Sequence, residues 1–337
     1  MRSAPEVVRP SAFWEAWNEQ HLRLLSDDGF ASFKRTINRN YFNWAPRSPL
    51  DAQFRVVAKD AMRRGAISRG GTARLSDAAE IDFLPGGVRR RIHALFLALL
   101  WEYVHARDAT GLLGRLEEPM LGRPIVVRYR GRQISQDLCN SVHEIGSMLE
   151  HRNGRPVDSV IELGGGYGRV AWAWLQAFPH TRYVVVDIPP ALAVAQRYLT
   201  ELFPTLRTFR FRSFDDPVAA ASEIEAAQLS FLTPNQLAKL PGMCAGLFVN
   251  ISSLHEMRPE QISFYMREIE RHCVGAFYTK QWRSSHNRFD GVVIGRDDYP
   301  IPAGWRQIYS RDHAIQTGFF EALYELGSER SAPAQQQ

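Results

Sequence analysis

The sequence predicts an α/β fold. Its doubly wound, mostly parallel sheet is closed by a C-terminal antiparallel hairpin and preceded by a mainly helical N-terminal region. Three observations predict this. From residue 157 onward, apolar runs of strand length alternate with helical patterns. A glycine-rich turn, VIELGGGYGRV at residues 160–170, joins the first of these runs to the first helix. Residues 1 to about 118 carry helical periodicity and almost no strand signal.

In the N-terminal region, Phe13, Trp17 and Leu24 fall on one helical face. Ile92, Leu95, Phe96, Leu99 and Tyr103 fall on another. Residues 68–87 hold two Gly-Gly pairs and a proline, which marks a loop or linker. Near residues 125–135, two β-rich runs flank Arg130-Gly131-Arg132 and predict a small hairpin. Ser135 is placed to cap a helix over residues 136–150. The expected domain boundary lies there, with residues 1–150 on one side and 151–327 on the other.

Past the boundary, VDSVIEL reads as a buried strand and GRVAWAWLQAF as a helix. TRYVVVDIP and ALAVAQRYLTELF repeat the pair. AGLFVNISSL is a further strand, followed by a helix over residues 260–273 and the strand GAFYTKQW. WRQIYSRD and GFFEALYEL lack a long helix between them and predict the closing hairpin. The tail at 328–337 is small and polar, with the composition of a disordered segment.

Composition narrows the function. The 337 residues are 45% hydrophobic, enough for a sizeable core. MRSAPEVVRP has no apolar signal segment. The most apolar run, IHALFLALLWEYVHA, is too short to span a bilayer and contains His93, Glu102 and His105. It reads as a buried helix, so no membrane role is expected. Cys139, Cys244 and Cys273 are far apart and odd in number, which fits a reducing cytoplasm better than a disulfide framework or metal knuckle. The net charge of +5 suits an anionic small-molecule acceptor such as a nucleotide-sugar. No Lys/Arg run stands out, so nucleic acid is not expected as a partner.

A strand, glycines and then a helix place a ligand at the carboxyl edge of the sheet. Gly164 and Gly166 permit positive φ, and Gly168 lets the helix pack near the strand. The spacing is G-x-G-x-G, not the G-x-G-x-x-G of dinucleotide binders. Glu162 precedes the turn, and Asp187 ends the next strand, where an acid accepts hydrogen bonds from ribose hydroxyls. The alternative is a glycine turn with no ligand.

ELGGGYG followed by Asp187 resembles the first motif and ribose acid of the class I S-adenosylmethionine-dependent methyltransferases, over roughly residues 157–327. The resemblance implies a Rossmann-like domain with S-adenosylmethionine as cofactor. It carries Glu162, Gly164, Gly165, Gly166 and Gly168 into the cofactor site, with Asp187 and Ile188 at the ribose and Asn250 beside them. For the adenine loop two strands compete: TFRFRSF, followed by Asp215 and Asp216, and the strand within AQLSFLTPNQL. The second leaves the short connection that the family has. It places Asn235 at the adenine and makes 207–227 an excursion.

FVNISSLHEM, residues 248–257, is an unusually polar strand exit, with Asn250, Ser252, Ser253, His255 and Glu256. It resembles the His-Asp position of plant-type small-molecule O-methyltransferases, where the histidine deprotonates the acceptor hydroxyl. It is still more similar to a bacterial group of sugar O-methyltransferases, which shares the pattern Asn-x-x-Ser-x-x-Glu-Met, here Asn250, Ser253, Glu256 and Met257. FYTKQW and the helical N-terminal half are also similar to that group. The resemblance implies His255 as general base. Glu256 then orients His255, binds a sugar hydroxyl or is itself the base. Ser253, Lys280, Trp282 and His286 are expected on the acceptor, and Arg283 and Arg288 would make that rim basic. The N-terminal half is expected to build the acceptor pocket or a homodimer contact. Three alternatives stay open: a phenol or polyketide acceptor, a divalent metal at Asp297 and Asp298 in place of the base, and a non-catalytic binding subunit.

Overall fold

In a computed structural model of the chain, the described residues are 5–15, 18, 22–23, 29–36, 46, 48–65, 74–75, 87–150 and 156–327. Trp17, Leu24, most of 68–87 and the 328–337 tail lie outside them. The chain forms two compact units. One comprises residues 20–150 with 314–317; the other comprises 1–19, 151–313 and 318–337. The first 19 residues thus cluster with the C-terminal unit, whereas the sequence groups them with the helical region.

The unit of residues 20–150 contains α1 (Ala52–Arg63), β1 (Arg74–Leu75), α2 (Gly87–His105), β2 (Val127–Tyr129), β3 (Arg132–Ile134) and α3 (Gln136–Leu149). The apolar run at 92–106 falls within α2 and just past its end, and it is buried because it is apolar on nearly every side: Phe96, Leu97, Leu100 and Val104 are all in the core. Phe54 of α1 stacks on Phe96 with ring centroids 6.1 Å apart. β2 and β3 pair through a turn whose Arg130 and Gly131 have φ of 50° and 79°, the handedness that suits a tight hairpin. Ser135 caps α3 by accepting the Leu138 N–H at 2.9 Å. Its hydroxyl donates to Glu118 at 2.6 Å, and Glu118 is also the buried partner of Lys34.

The other unit is built on eight strands: β4 (Ser159–Leu163), β5 (Arg182–Val186), β6 (Thr208–Phe209), β7 (Leu229–Leu232), β8 (Ala245–Ile251), β9 (Cys273–Trp282), β12 (Arg306–Asp312) and β13 (Phe319–Glu325). Their order is β12-β13-β9-β8-β4-β5-β7-β6. β4 to β9 run parallel, and β13 and β12 return antiparallel as the closing hairpin. The intervening helices are α4 (Arg169–Ala177), α5 (Pro189–Leu202), α6 (Pro217–Ala226), α7 (Pro234–Leu237) and α8 (Pro259–His272). The central strands are buried along nearly their whole length, as their unbroken apolar runs require. From β4 the chain moves outward to β5, and later returns to β8 on the other side of β4. That reversal opens a crevice at the carboxyl ends of β4 and β8.

Of the two candidates for the third parallel strand, LSFL pairs with β5 and is wholly buried. TFRFRSF contributes only the two-residue edge strand β6, because its arginines cannot be buried. The α8 helix and the β9 strand each fall within one or two residues of the sequence expectation. A second antiparallel pair, β10 (Ser284–Asn287) and β11 (Val292–Gly295), follows β9. The sequence gives little warning of it, since SSHN is polar and short.

Candidate active site

The glycine turn leaves β4 in the left-handed region. Gly164, Gly166 and Gly168 have φ of 75°, 58° and 88°. A Cβ on Gly164 would sit 2.3 Å from Ser253 Oγ, so the turn lies directly on the exit of β8. A Cβ on Gly168 would sit 2.7 Å from a Leu199 methyl, so α4 can start close against α5. Beneath the turn, Glu162 is buried and accepts the Tyr183 hydroxyl at 2.9 Å, and a Cβ on Gly165 would come within 3.3 Å of it.

Asp187 faces the turn from the end of β5. Its two oxygens accept the Gly166 and Ile188 N–H groups, each at 2.7 Å. Burial pushes its carboxyl up to about 7, although both N–H donors favour the ionised form. Each oxygen keeps a lone pair for a further donor. Asn235 lies just past β7, half-buried in the first turn of α7. Asp216 instead caps α6, accepting the Val218 and Ala219 N–H groups, and Asp215 lies on the same loop. The glycine turn, Asp187 and Asn235 thus follow the carboxyl ends of β4, β5 and β7, three neighbouring strands of the sheet.

Asn250, at the end of β8, is fully enclosed. Its amide nitrogen donates to the Leu163 carbonyl at 2.9 Å and to Ser253 Oγ at 2.7 Å. Its oxygen accepts the Leu254 N–H at 3.2 Å and Gln281 Nε2 at 2.6 Å. Asn250 and Ser253, expected at the cofactor and the acceptor, thus bind the two strand exits together.

Gln281 completes a directional chain. Because its nitrogen faces Asn250, its oxygen faces the ring of His255, with Nδ1 at 2.9 Å; the His255 backbone N–H also points to it at 3.3 Å. A backbone N–H can only donate, so the acceptor identity of that oxygen is fixed twice over. His255 Nδ1 therefore carries the proton and Nε2 presents a lone pair. Burial pushes His255 down to about 4, so the ring is neutral near pH 7. Nε2 lies 3.7 Å from Glu256 Oε1. Burial raises the Glu256 carboxyl well above its ordinary value; a hydrogen bond from Trp14 opposes this, and the Asp187 charge adds to it. Glu256 Oε2 and the Tyr299 hydroxyl are buried with no hydrogen-bond partner among the described residues.

Other expected acceptor residues fall in different places. Trp282 stacks on Phe319, with centroids 4.5 Å apart, and stands edge-on to the His255 ring at 6.3 Å. Lys280 is buried, alternates with Gln281 along β9, and holds its ammonium 5.3 Å from the Phe319 ring centre. Ser285 and Asn287 turn inward to the carbonyls of His255 and Glu256, and alternation leaves His286 exposed on the opposite face of β10. Arg283 pairs with Asp312 on the surface. Asp298 accepts the Gly295 N–H at 2.7 Å, and Asp297 is its neighbour in the same exposed turn.

Sequence reasoning missed Gln281, Tyr299 and the pairing of Trp14 with Glu256. Gln281 had a signal: a neutral amide inside a strand buried on both faces must find partners. Trp14 had none, since its partner is more than 240 residues away in sequence.

The fold and this edge define a doubly wound α/β domain with a glycine turn and a carboxylate at the point where its strand order reverses. Residues 132–224 match a family model described as an O-methyltransferase domain. No curated protein matches the chain. Solved structures it is similar to include the pyocyanin biosynthetic protein PhzM, with 15% identity over 65% of this chain and a TM-score of 0.36. The chain spans 62% of that protein's length, less than two thirds. Another is the Burkholderia thailandensis 1,6-didemethyltoxoflavin-N1-methyltransferase, solved with its substrate and S-adenosylhomocysteine, with 15% identity, 55% of this chain and 76% of that one covered, and a TM-score of 0.40. A third is the PH0226 protein of Pyrococcus horikoshii OT3, with 11% identity, 57% and 92% coverage, and a TM-score of 0.41.

Proposed function

We propose that this protein is an S-adenosylmethionine-dependent O-methyltransferase acting on a hydroxyl of a sugar or glycosylated small molecule. The observation that carries the reading is the left-handed glycine turn bonded through Gly166 to Asp187, beside the His255–Glu256 exit of the neighbouring strand. Asp187 and the Ile188 loop hold the ribose, Asn235 borders the adenine, and the 164–168 turn underlies the methionine portion. The cofactor, when bound, supplies the electrophilic methyl group of its sulfonium.

The chain's own part is position and proton transfer. His255 Nε2, neutral and held in one tautomer, accepts the acceptor's hydroxyl proton as the oxygen takes the methyl group. Glu256 faces that nitrogen and stabilises the imidazolium that results. The unpartnered Glu256 Oε2 and Tyr299 hydroxyl, with the Trp282 ring nearby, support a polyhydroxylated acceptor.

Titration calorimetry with S-adenosylhomocysteine tests the cofactor; binding is expected, and NADH binding in its place would refute it. Transfer of labelled methyl from S-adenosylmethionine to a panel of glycosides, nucleotide-sugars and catechols tests the acceptor. Activity confined to the catechols would favour a phenolic substrate.

A further inference from the structure

We propose that Trp14 is the positioning residue for Glu256, and that residues 5–15 form a strap that delivers its indole N–H to that carboxyl. This rests on the reading of His255 and Glu256 as the proton-accepting pair. The strap belongs to the same compact unit as the site. Gln261 Nε2 donates to the Val7 and Arg9 carbonyls at 3.2 and 2.8 Å. Ser11 Oγ donates to the Glu256 carbonyl at 2.9 Å. The Ala12 and Phe13 N–H groups end on the Asp290 carboxylate at 3.3 and 3.4 Å. Asn287 ties that carboxylate back to the Glu256 carbonyl, at 2.8 and 3.1 Å. Phe13 is gripped edge-to-face by Trp14 and Phe289, with centroids at 5.6 and 5.7 Å. The anchors converge on the backbone of Glu256, and the indole then meets its side chain.

The chemistry explains why a donor is needed there. Among the described residues the only ion-pair partner of Glu256 is His255, which is neutral. Burial in that setting favours the protonated form of the carboxyl. Yet the imidazolium formed when His255 takes the acceptor's proton is stabilised by the ionised carboxylate. An N–H donor favours that form without adding a charge to the pocket. Trp14 acts on the Glu256 carboxyl as a side-chain hydrogen-bond donor, Oε1 is the oxygen 3.7 Å from His255 Nε2, and Oε2 is buried with no partner among the described residues. The other ionisable group acting on the carboxyl is Asp187, which disfavours its ionisation; Tyr299 beside it is raised by burial and by Asp298 and Glu256. Arg258 and Asp290, 4.0 Å apart, lie at the strap's anchors.

The test is a carbon-detected NMR titration of full-length protein labelled at glutamate carboxyls, with Glu256→Gln assigning the resonance. Trp14→Phe keeps the ring and removes the N–H. Its Glu256 midpoint should rise by about half to one pH unit, with S-adenosylhomocysteine affinity unchanged within about twofold. Asp290→Ala loosens the strap without touching the carboxyl and should shift the midpoint the same way. An unchanged midpoint in both variants, with S-adenosylhomocysteine still bound, overturns the role of Trp14 and leaves the methyltransferase reading standing. A shifted midpoint in a protein that binds no S-adenosylhomocysteine overturns that reading and the catalytic meaning of Trp14 with it.

Discussion

His255 Nδ1 lies 2.9 Å from Gln281 Oε1, and this contact decides which ring nitrogen can accept a proton. The decision originates at the Leu163 carbonyl beside the glycine turn and passes through the two amides of Asn250 and Gln281. The glycine turn and the proposed base are thereby oriented by one hydrogen-bonded chain. Gln281→Glu should place a carboxylate against the Nδ1–H and raise the imidazole pKa. The acidic limb of kcat against pH should then move to higher pH, because the ring becomes protonated, and unable to accept, at lower acidity.

His255→Gln keeps a hydrogen-bonding group but removes the base. Turnover should fall by about 10²–10⁴-fold. S-adenosylhomocysteine affinity, read by calorimetry, should stay the same, because the imidazole faces the acceptor. Near-native turnover would move the base to Glu256.

Gly164→Ala adds a Cβ where φ is 75° and Ser253 Oγ would be 2.3 Å away. Left-handed strain and overpacking act together, so urea denaturation should show a loss of about 2–4 kcal/mol. Ser253→Gly in the same chain should recover the overpacking part and not the backbone part.

Asp187→Asn should weaken S-adenosylhomocysteine binding by about 1–3 kcal/mol through the lost ribose acceptor. It should also change the pH dependence of stability. The folded carboxyl is raised to about 7 from 3.8, so its contribution is present at low pH and is lost as pH rises through about 7. His255, lowered from 6.5 to about 4, acts oppositely: its contribution is present above 6.5 and is lost as pH falls through about 4. The two slopes offset each other between about pH 4 and 6.5. Asp187→Asn should therefore make the protein more acid-sensitive in thermal melts across that range, and His255→Gln less so.

The sequence by itself determined the strand–helix alternation, the glycine turn with Asp187 at the end of the next strand, and the strand exit carrying His255 and Glu256. Each is a local property: periodicity sets which face is buried, and only glycine tolerates φ near 75° where Gly164 sits. Tertiary structure alone decided the rest. Asn250 and Ser253 carry the residue types of ligand contacts, yet their polar atoms are taken up across adjacent strands, which depends on register. His286 sits in the expected loop region, but hairpin alternation turns it outward. The action of Trp14 on the Glu256 carboxyl joins residues far apart in sequence, and no local pattern encodes a partner at that distance.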